Sequence, residues 1–268
     1  MKGLNIVVTV KQVPDTTDVR IDSKTNTLIR EGIPNIINPE DMNAVEAALS
    51  LRDLHGGTVT ALTMGPPQAE EALEEIIAMG ADRGILLTDR AFAGSDTLIT
   101  AFALSRAIMK IKNYDLILCG RQAIDGDTAQ VGPQIASFLD LPQVTYAEEI
   151  KFDNKELIIK RSLEDCVEMV RLKLPALVTV TSRLNEPRYA KLYNIDRACG
   201  GSLISRWNIK DIKIPKLMLG LHASPTIVKR IFEPIRNKKG EILHGSVKEM
   251  AGTLIQKLKD LNYTVKTN

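Results

Sequence analysis

The chain has 268 residues, 44% hydrophobic and 25% charged, which suits one large α/β domain or one domain with a smaller appendage. Lys and Arg (35) nearly balance Asp and Glu (33) for a net charge of +2, and aromatics are only 4%; the basic footprint and stacking platforms of a nucleic-acid binder are therefore excluded. Cys119, Cys166 and Cys199 make no Cys-x-x-Cys pair, and His55, His222 and His244 share no ligand spacing, so neither a disulfide framework nor a structural metal is expected. No apolar run approaches the ~18 residues of a membrane span, and the first residues run straight into a strand without a leader pattern. Free thiols and this pattern predict a cytoplasmic protein without membrane insertion.

The β-branched run over residues 6–10 predicts the first buried strand, closed by Pro14. A hairpin is predicted next, with Val19 and Ile21 on one arm, Leu28 and Ile29 on the other, and its turn at 22–26. Asn38-Pro39-Glu40-Asp41 predicts a helix start: a capping Asn, proline at the first position and acids in the first turn. Helical period continues to about Leu54, where Gly56-Gly57 ends it. A strand over 58–64, a helix over 68–79, a strand over 84–88 and a helix over 96–110 capped by Ser95 follow in order. Strands alternating with helices across short Gly/Pro joints predict a doubly wound parallel α/β sheet. Ligands of such sheets lie beyond the carboxyl ends of the strands, where Lys11, Asn38, Met64 and Gly120 fall.

The stretch Asp115 to Gln134 is central to this pattern. A strand over 116–119 ends at Gly120; small and acidic residues follow, then a helix carrying Val131, Ile135, Ala136 and Leu139. Strand, glycine-containing loop and helix N-terminus form an anion site, because unpaired N–H groups and the helix dipole converge there. Asp127 and Thr128 are candidate caps of that helix, the plain alternative being a capped turn with no ligand. Asp125 and Asp127 also form a pair that could do acid–base work, although acids at a helix start are ordinarily caps.

Beyond Pro142 the pattern changes to a hairpin of 146–151 with 156–161 around Asp153-Asn154, a strand over 166–172 and a buried one over 177–181. Residues 183–207 read as a surface segment, a loop or docking element. Residues 208–242, with Pro215, Pro225 and Pro234, read as an extended tail, and 247–261 as an amphipathic helix. This divides the chain into a nucleotide-binding domain, 1–207, and a C-terminal arm, 208–268, expected to lie on a partner. No P-loop, Gly-x-Ser-x-Gly elbow or His-Glu-x-x-His motif occurs. The residues thus support a nucleotide ligand without a catalytic side chain: a nucleotide sensor, or a holder of a cofactor that carries the chemistry.

Several motifs together resemble the small (beta) subunit of electron-transfer flavoproteins, over nearly the full length. They are Val10-Lys11-Gln12-Val13-Pro14, Asn38-Pro39-Glu40-Asp41, Ala78-Met79-Gly80-Ala81-Asp82-Arg83-Gly84, Gly120-Arg121-Gln122-Ala123-Ile124-Asp125 and, most distinctive, Arg183-Leu184-Asn185-Glu186-Pro187-Arg188-Tyr189-Ala190. The resemblance implies a nucleotide-binding α/β fold paired with an alpha subunit that holds its own FAD. Respiratory members keep AMP in the beta subunit, whereas Glu40-Asp41 and the loop Gly126-Asp127-Thr128-Ala129-Gln130-Val131-Gly132-Pro133 resemble electron-bifurcating members, which hold a second FAD there. For those, NADH is the electron donor, and ferredoxin or flavodoxin and a flavin-dependent dehydrogenase of the acyl-CoA type are acceptors. By the same resemblance the nucleotide touches Thr9, Lys11, Asn38, Pro39, Glu40, Asp41, Met64, Gly120, Arg121, Gln122, Ala123, Asp125, Gly126, Asp127, Thr128, Ala129, Gln130, Val131 and Gly132. Leu192, flanked by Lys191 and Tyr193, matches the leucine that docks into the dehydrogenase. An AMP-binding subunit, a nucleotide sensor without redox chemistry and a partner subunit with a degenerate site remain open alternatives.

Overall fold

The computed structural model describes residues 3–15, 20–21, 28–29, 34–153, 155–199, 202–229 and 240–261. In chain order, β1 (Leu4–Thr9) and β2 (Gln12–Pro14) come first. The ladder of β3 (Arg20–Ile21) with β4 (Leu28–Ile29) agrees with the expected hairpin, whose turn lies outside the described residues. β5 (Asn35–Ile37) pairs antiparallel with β2 and leads into α1 (Pro39–His55). Then come β6 (Gly57–Met64), α2 (Glu70–Met79), β7 (Arg83–Leu87), α3 (Thr97–Ile111), β8 (Leu116–Gly120) and α4 (Val131–Phe138). The remaining strands of the domain are β9 (Gln143–Asp153), β10 (Glu156–Ser162), β11 (Val167–Lys173) and β12 (Ala176–Val180); α5 (Leu192–Cys199) and β13 (Ile204–Trp207) follow.

The main sheet has the order β11-β10-β9-β12-β8-β1-β6-β7-β13. From β9 across to β13 every neighbouring pair is parallel, and β10 and β11 extend the β9 side antiparallel. Parallel strands are covered on both faces, and residue alternation along β1 divides the core accordingly. Ile6 and Val8 pack with α1 and α2 residues such as Val45, Leu49 and Leu73, whereas Val7 packs with Leu104 and Ile108 of α3 and Ile135 of α4. The chain winds outward from β1 through β6 to β7, and α3 then returns it to β8 on the other side of β1. The winding reverses between β1 and β8, so their carboxyl ends flank the crevice where ligands of such sheets sit.

Several local expectations change. Asp96, not Ser95, caps α3, its side chain accepting from Ile99 N at 3.1 Å. Residues 183–207 hold α5 and β13 in place of a loop. α5 has eight residues with Ala198 as its one buried side chain, packed with Ile77 and Ala78, and is too short for a visible period. β13 pairs with β7 at the sheet edge through Ile204↔Gly84 to Trp207↔Leu87. The tail boundary also moves. Ile212, Ile214 and Leu219 are buried in the α3-side core, with the half-buried Trp207 and Ile209 packed against it. This segment, with α6 (Gly220–Ala223), belongs to a unit spanning Met1–Arg230, the second unit being Ile231–Asn268. Prolines suggested an extended arm, yet short turns between them direct the apolar residues inward. The second unit contains α7 (Val247–Asp260), started by a reciprocal capping box of Ser246 and Glu249.

Candidate functional site

The carboxyl ends of β1 and β8 are tied together by the first turn of α1. Asp41 accepts from Lys11 N at 2.8 Å through Oδ2 and from Gly120 N at 3.0 Å through Oδ1. Glu40 accepts from Gln122 N at 3.2 Å and pairs with the Arg121 guanidinium at 3.3 Å. Asn38 donates to Gln122 O at 2.9 Å and accepts from Ile124 N at 3.1 Å. Lys11 Nζ closes the frame on Asp125 at 2.6 Å. Asn38 is therefore not the side-chain cap that its position suggests, and Glu40 and Asp41 do more than offset a helix dipole: all three hold the loop that follows β8.

Gly120 makes that approach possible, since a Cβ there would lie 2.3 Å from Asp41 Oδ1 and 2.8 Å from Asp41 N. Asp41 is buried, and burial pushes its carboxyl up to about 7 against the pull of the Lys11 and Gly120 N–H groups. Cys119, next to it on β8, is also buried, which pushes its thiol up to about 12 and leaves it unsuited to nucleophilic work.

Past the frame the loop is more open. Asp127 N donates to Ala123 O at 2.8 Å, and the Asp127 carboxylate accepts from Gln122 Nε2. Asp127 and Ala129 both adopt left-handed backbone, φ 51° and 52°, so the chain makes an additional turn before α4 begins at Val131. Neither Asp127 nor Thr128 then caps α4; Gln130 occupies that position without a side-chain cap bond. The N–H groups of Thr128, Ala129, Gln130, Val131 and Gly132 have no protein acceptor among the described residues. Unpaired donors at a helix N-terminus, preceded by two left-handed residues, are the chemistry of a phosphate cradle. A Cβ at Gly126 would meet nothing within 4 Å, whereas one at Gly132 would lie 2.6 Å from Thr179 Cγ2. The helix end thus sits tight on the sheet while the loop before it faces open space, an arrangement that fits a nucleotide diphosphate.

The expected site residues divide into groups. Lys11, Asn38, Glu40, Asp41 and Gly120 to Asp125 converge on one frame, and Gly126 to Gly132 on the open loop. Thr9 is buried at the end of β1, Pro39 is exposed at the start of α1, and Met64 is packed against the core of Leu62 and Leu87. Asp125 and Asp127 are both engaged within the chain. Leu192, Tyr193 and Tyr189 are 84%, 80% and 94% exposed, on and just before α5.

One cluster escaped the sequence reading. Asn43, Glu46, Ser50 and Asp53 form a polar stripe along one side of α1, and residues at helical spacing were the available signal. Arg188 sits on it, bonded to Glu46 at 2.8 and 2.9 Å and to Asp53 at 2.7 Å. Burial alone would raise Glu46, but bonds from Arg188 and Ser50 overcome it and hold the carboxyl below its usual range.

A doubly wound sheet with a braced loop and unpaired N–H groups at its winding reversal defines a protein of the doubly wound α/β class. Residues 25–205 match the electron transfer flavoprotein domain. The chain is 51% identical to the electron transfer flavoprotein subunit beta of Thermoanaerobacterium thermosaccharolyticum, covering 95% of this chain and 98% of that one. It is also 51% identical to the caffeyl-CoA reductase-Etf complex subunit CarD of Acetobacterium woodii (96% and 98% covered) and 48% identical to protein FixA of Sinorhizobium fredii (86% and 84%). The chain belongs to the electron transfer flavoprotein family, as a subunit of the beta type. No helix among the described residues is long and apolar enough to cross a membrane.

Proposed function

We propose that this subunit holds FAD between the frame at β1 and β8 and the N-terminus of α4, in a bifurcating electron carrier. The observation that carries this reading is the run of unpaired N–H groups from Thr128 to Gly132, which matches the donor demand of a pyrophosphate. When bound, FAD would supply two-electron chemistry with NADH and one-electron chemistry toward ferredoxin or flavodoxin and toward the alpha-subunit FAD. Asp41, Glu40 and Asn38 hold the loop in shape before the ligand arrives, so less ordering remains to be done on binding. Lys11 and Asp125 neutralise each other at its mouth. Structural AMP in place of FAD is the second reading, because the same donors would hold one phosphate.

Gly126→Leu tests the placement. The fold has room for a Cβ there, so the melting temperature of the free chain should stay within about 2 °C, the span of less than about 1 kcal/mol. Flavin extracted from the heterodimer should fall from two per dimer toward one, the alpha-subunit flavin remaining. Unchanged flavin stoichiometry counts against the site, and a full complement of AMP selects the second reading.

We infer that the exposed Tyr189, Leu192 and Tyr193 dock a flavin-dependent dehydrogenase; the companion of CarD, caffeyl-CoA reductase, supports an acyl-CoA type partner. Leu192→Ala should weaken that association by ~2 kcal/mol or more, as for an apolar anchor in a partner pocket. NADH reduction and thermal stability should not change. A lowered melting temperature with normal partner affinity would show instead that Leu192 supports its own domain.

A further inference from the structure

We propose that Arg188 is a positioning residue that holds the segment bearing Tyr189, Leu192 and Tyr193 against α1, so that docking affinity depends on a side chain that need not touch the partner. The inference rests on the docking role proposed above and adds the device that sets it. The attachment is two-point. Asn43 Nδ2 donates to Asn185 O at 2.8 Å, and Asn185 Nδ2 donates back to Asn43 O at 3.0 Å. Three residues on, Arg188 N and Nε both donate to Glu46 Oε2, at 3.0 and 2.8 Å, Nη2 donates to Glu46 Oε1 at 2.9 Å, and Nη1 donates to Asp53 Oδ2 at 2.7 Å.

Glu46 is only 7% exposed, and a fork-to-fork pair of this kind fixes direction as well as distance. The next residue, Tyr189, is 94% exposed, so the attachment ends where the exposed surface begins. Further on, Lys191 N reaches only Ala78 O, at 3.3 Å, and α5 buries only Ala198. α5 rests on α2 through Ala198, Ile77 and Ala78, so the polar bonds to α1 fix the stretch that leads into it, residues 185–189, where apolar burial is lacking. The same helix grips the nucleotide loop through Asn38, Glu40 and Asp41, which places the cofactor frame and the docking segment on one rigid bar.

Arg188→Gln alone would leave the Glu46 carboxylate buried without its partner, a loss that can unfold a helix. The test therefore includes the pair Arg188→Gln with Glu46→Gln, which removes the fork and leaves no buried charge behind, since the half-exposed Asp53 keeps its ion pair with Arg52 at 2.8 Å. Amide hydrogen exchange is measured on the full heterodimer. In the paired variant, exchange over residues 189–199 should accelerate at least tenfold while protection in α3 and flavin content stay at wild-type levels. With a short-chain acyl-CoA dehydrogenase reduced by butyryl-CoA as the probe, KM for the flavoprotein should rise at least fivefold and kcat should hold. Added to Leu192→Ala, the pair should raise KM less than twofold further, since both act on one contact. Unchanged exchange over 189–199 overturns the proposal, as does unchanged KM in the pair when Leu192→Ala does raise it. If Leu192→Ala leaves KM unchanged, the docking role itself falls, while the exchange result still reports whether Arg188 holds the segment.

Discussion

Gly120→Ala is expected to yield a markedly less stable protein that has lost most of its beta-subunit nucleotide. The added Cβ would lie 2.3 Å from Asp41 Oδ1, 2.8 Å from Asp41 N and 2.8 Å from Glu40 C. Two of those atoms are backbone, and the third is bonded in place to Gly120 N and cannot rotate away without leaving that N–H unpaired. Overpacking at a site that cannot relax costs about 3 kcal/mol, and a stranded buried N–H adds about 1–3 kcal/mol. For a chain of this size, each kcal/mol lowers the melting temperature by about 2–4 °C, so a fall of roughly 8 °C or more is expected. Gly126→Ala, whose Cβ meets nothing, is the control and should melt with the wild type. A Gly120→Ala protein with wild-type melting and nucleotide content would mean that α1 and β8 are not in contact as described.

Asp41→Asn should abolish one particular pH dependence of stability. Both carboxylate oxygens accept backbone N–H groups, from Lys11 and Gly120, while burial raises the folded pKa from 3.8 to about 7. Between those values the native state binds a proton that the unfolded chain releases. The stabilisation is therefore complete below about 3.8 and is lost as pH rises to about 7. About three units at about 1.4 kcal/mol each bound the effect at roughly 4 kcal/mol. Asparagine cannot titrate, and its amide NH2 would face one of the two backbone N–H donors, at a cost of about 1–3 kcal/mol. The variant should be clearly less stable than wild type near pH 4.5, with the gap closing or reversing by pH 8. Glu46, Asp53 and Asp96, all held below their usual range, lose stability in the opposite direction as pH falls, but they are common to both proteins and cancel in the difference. Urea unfolding across this range checks the outcome, and parallel curves would remove Asp41 from the account.

Much of the fold was legible from local pattern alone. Alternating β-branched runs and helical periods, separated by Gly56-Gly57, Gly80 and Gly120, specified β1, β6, β7, β8 and the helices between them, because strand and helix periods and glycine stops are properties of contiguous residues; the three-residue β2 and β5, which pair only with each other, are too short to carry such a period. The strand, loop and helix N-terminus of the candidate site were legible in the same way, since they too are contiguous. Asn38-Pro39-Glu40-Asp41 shows where that reasoning stops. Read locally it is a capped helix start; in the folded chain its side chains reach residues roughly eighty positions away, Gln122, Arg121 and Gly120, and the cap bond is not made.

Local pattern was enough for the doubly wound class, the alternation of strands and helices from β6 to α4, the hairpin of β9 and β10, and the glycines at which the backbone must turn or be approached closely. Packing alone leaves α4 uncapped by Asp127 and Thr128 with its N–H groups free, returns residues 208–229 to the core through Ile212, Ile214 and Leu219, and lays Arg188 on Glu46. The physical reason is the same in each case. A periodic signal needs a segment long enough to repeat, whereas a hydrogen-bond partner distant in sequence is chosen by which surfaces packing brings within about 3 Å of each other.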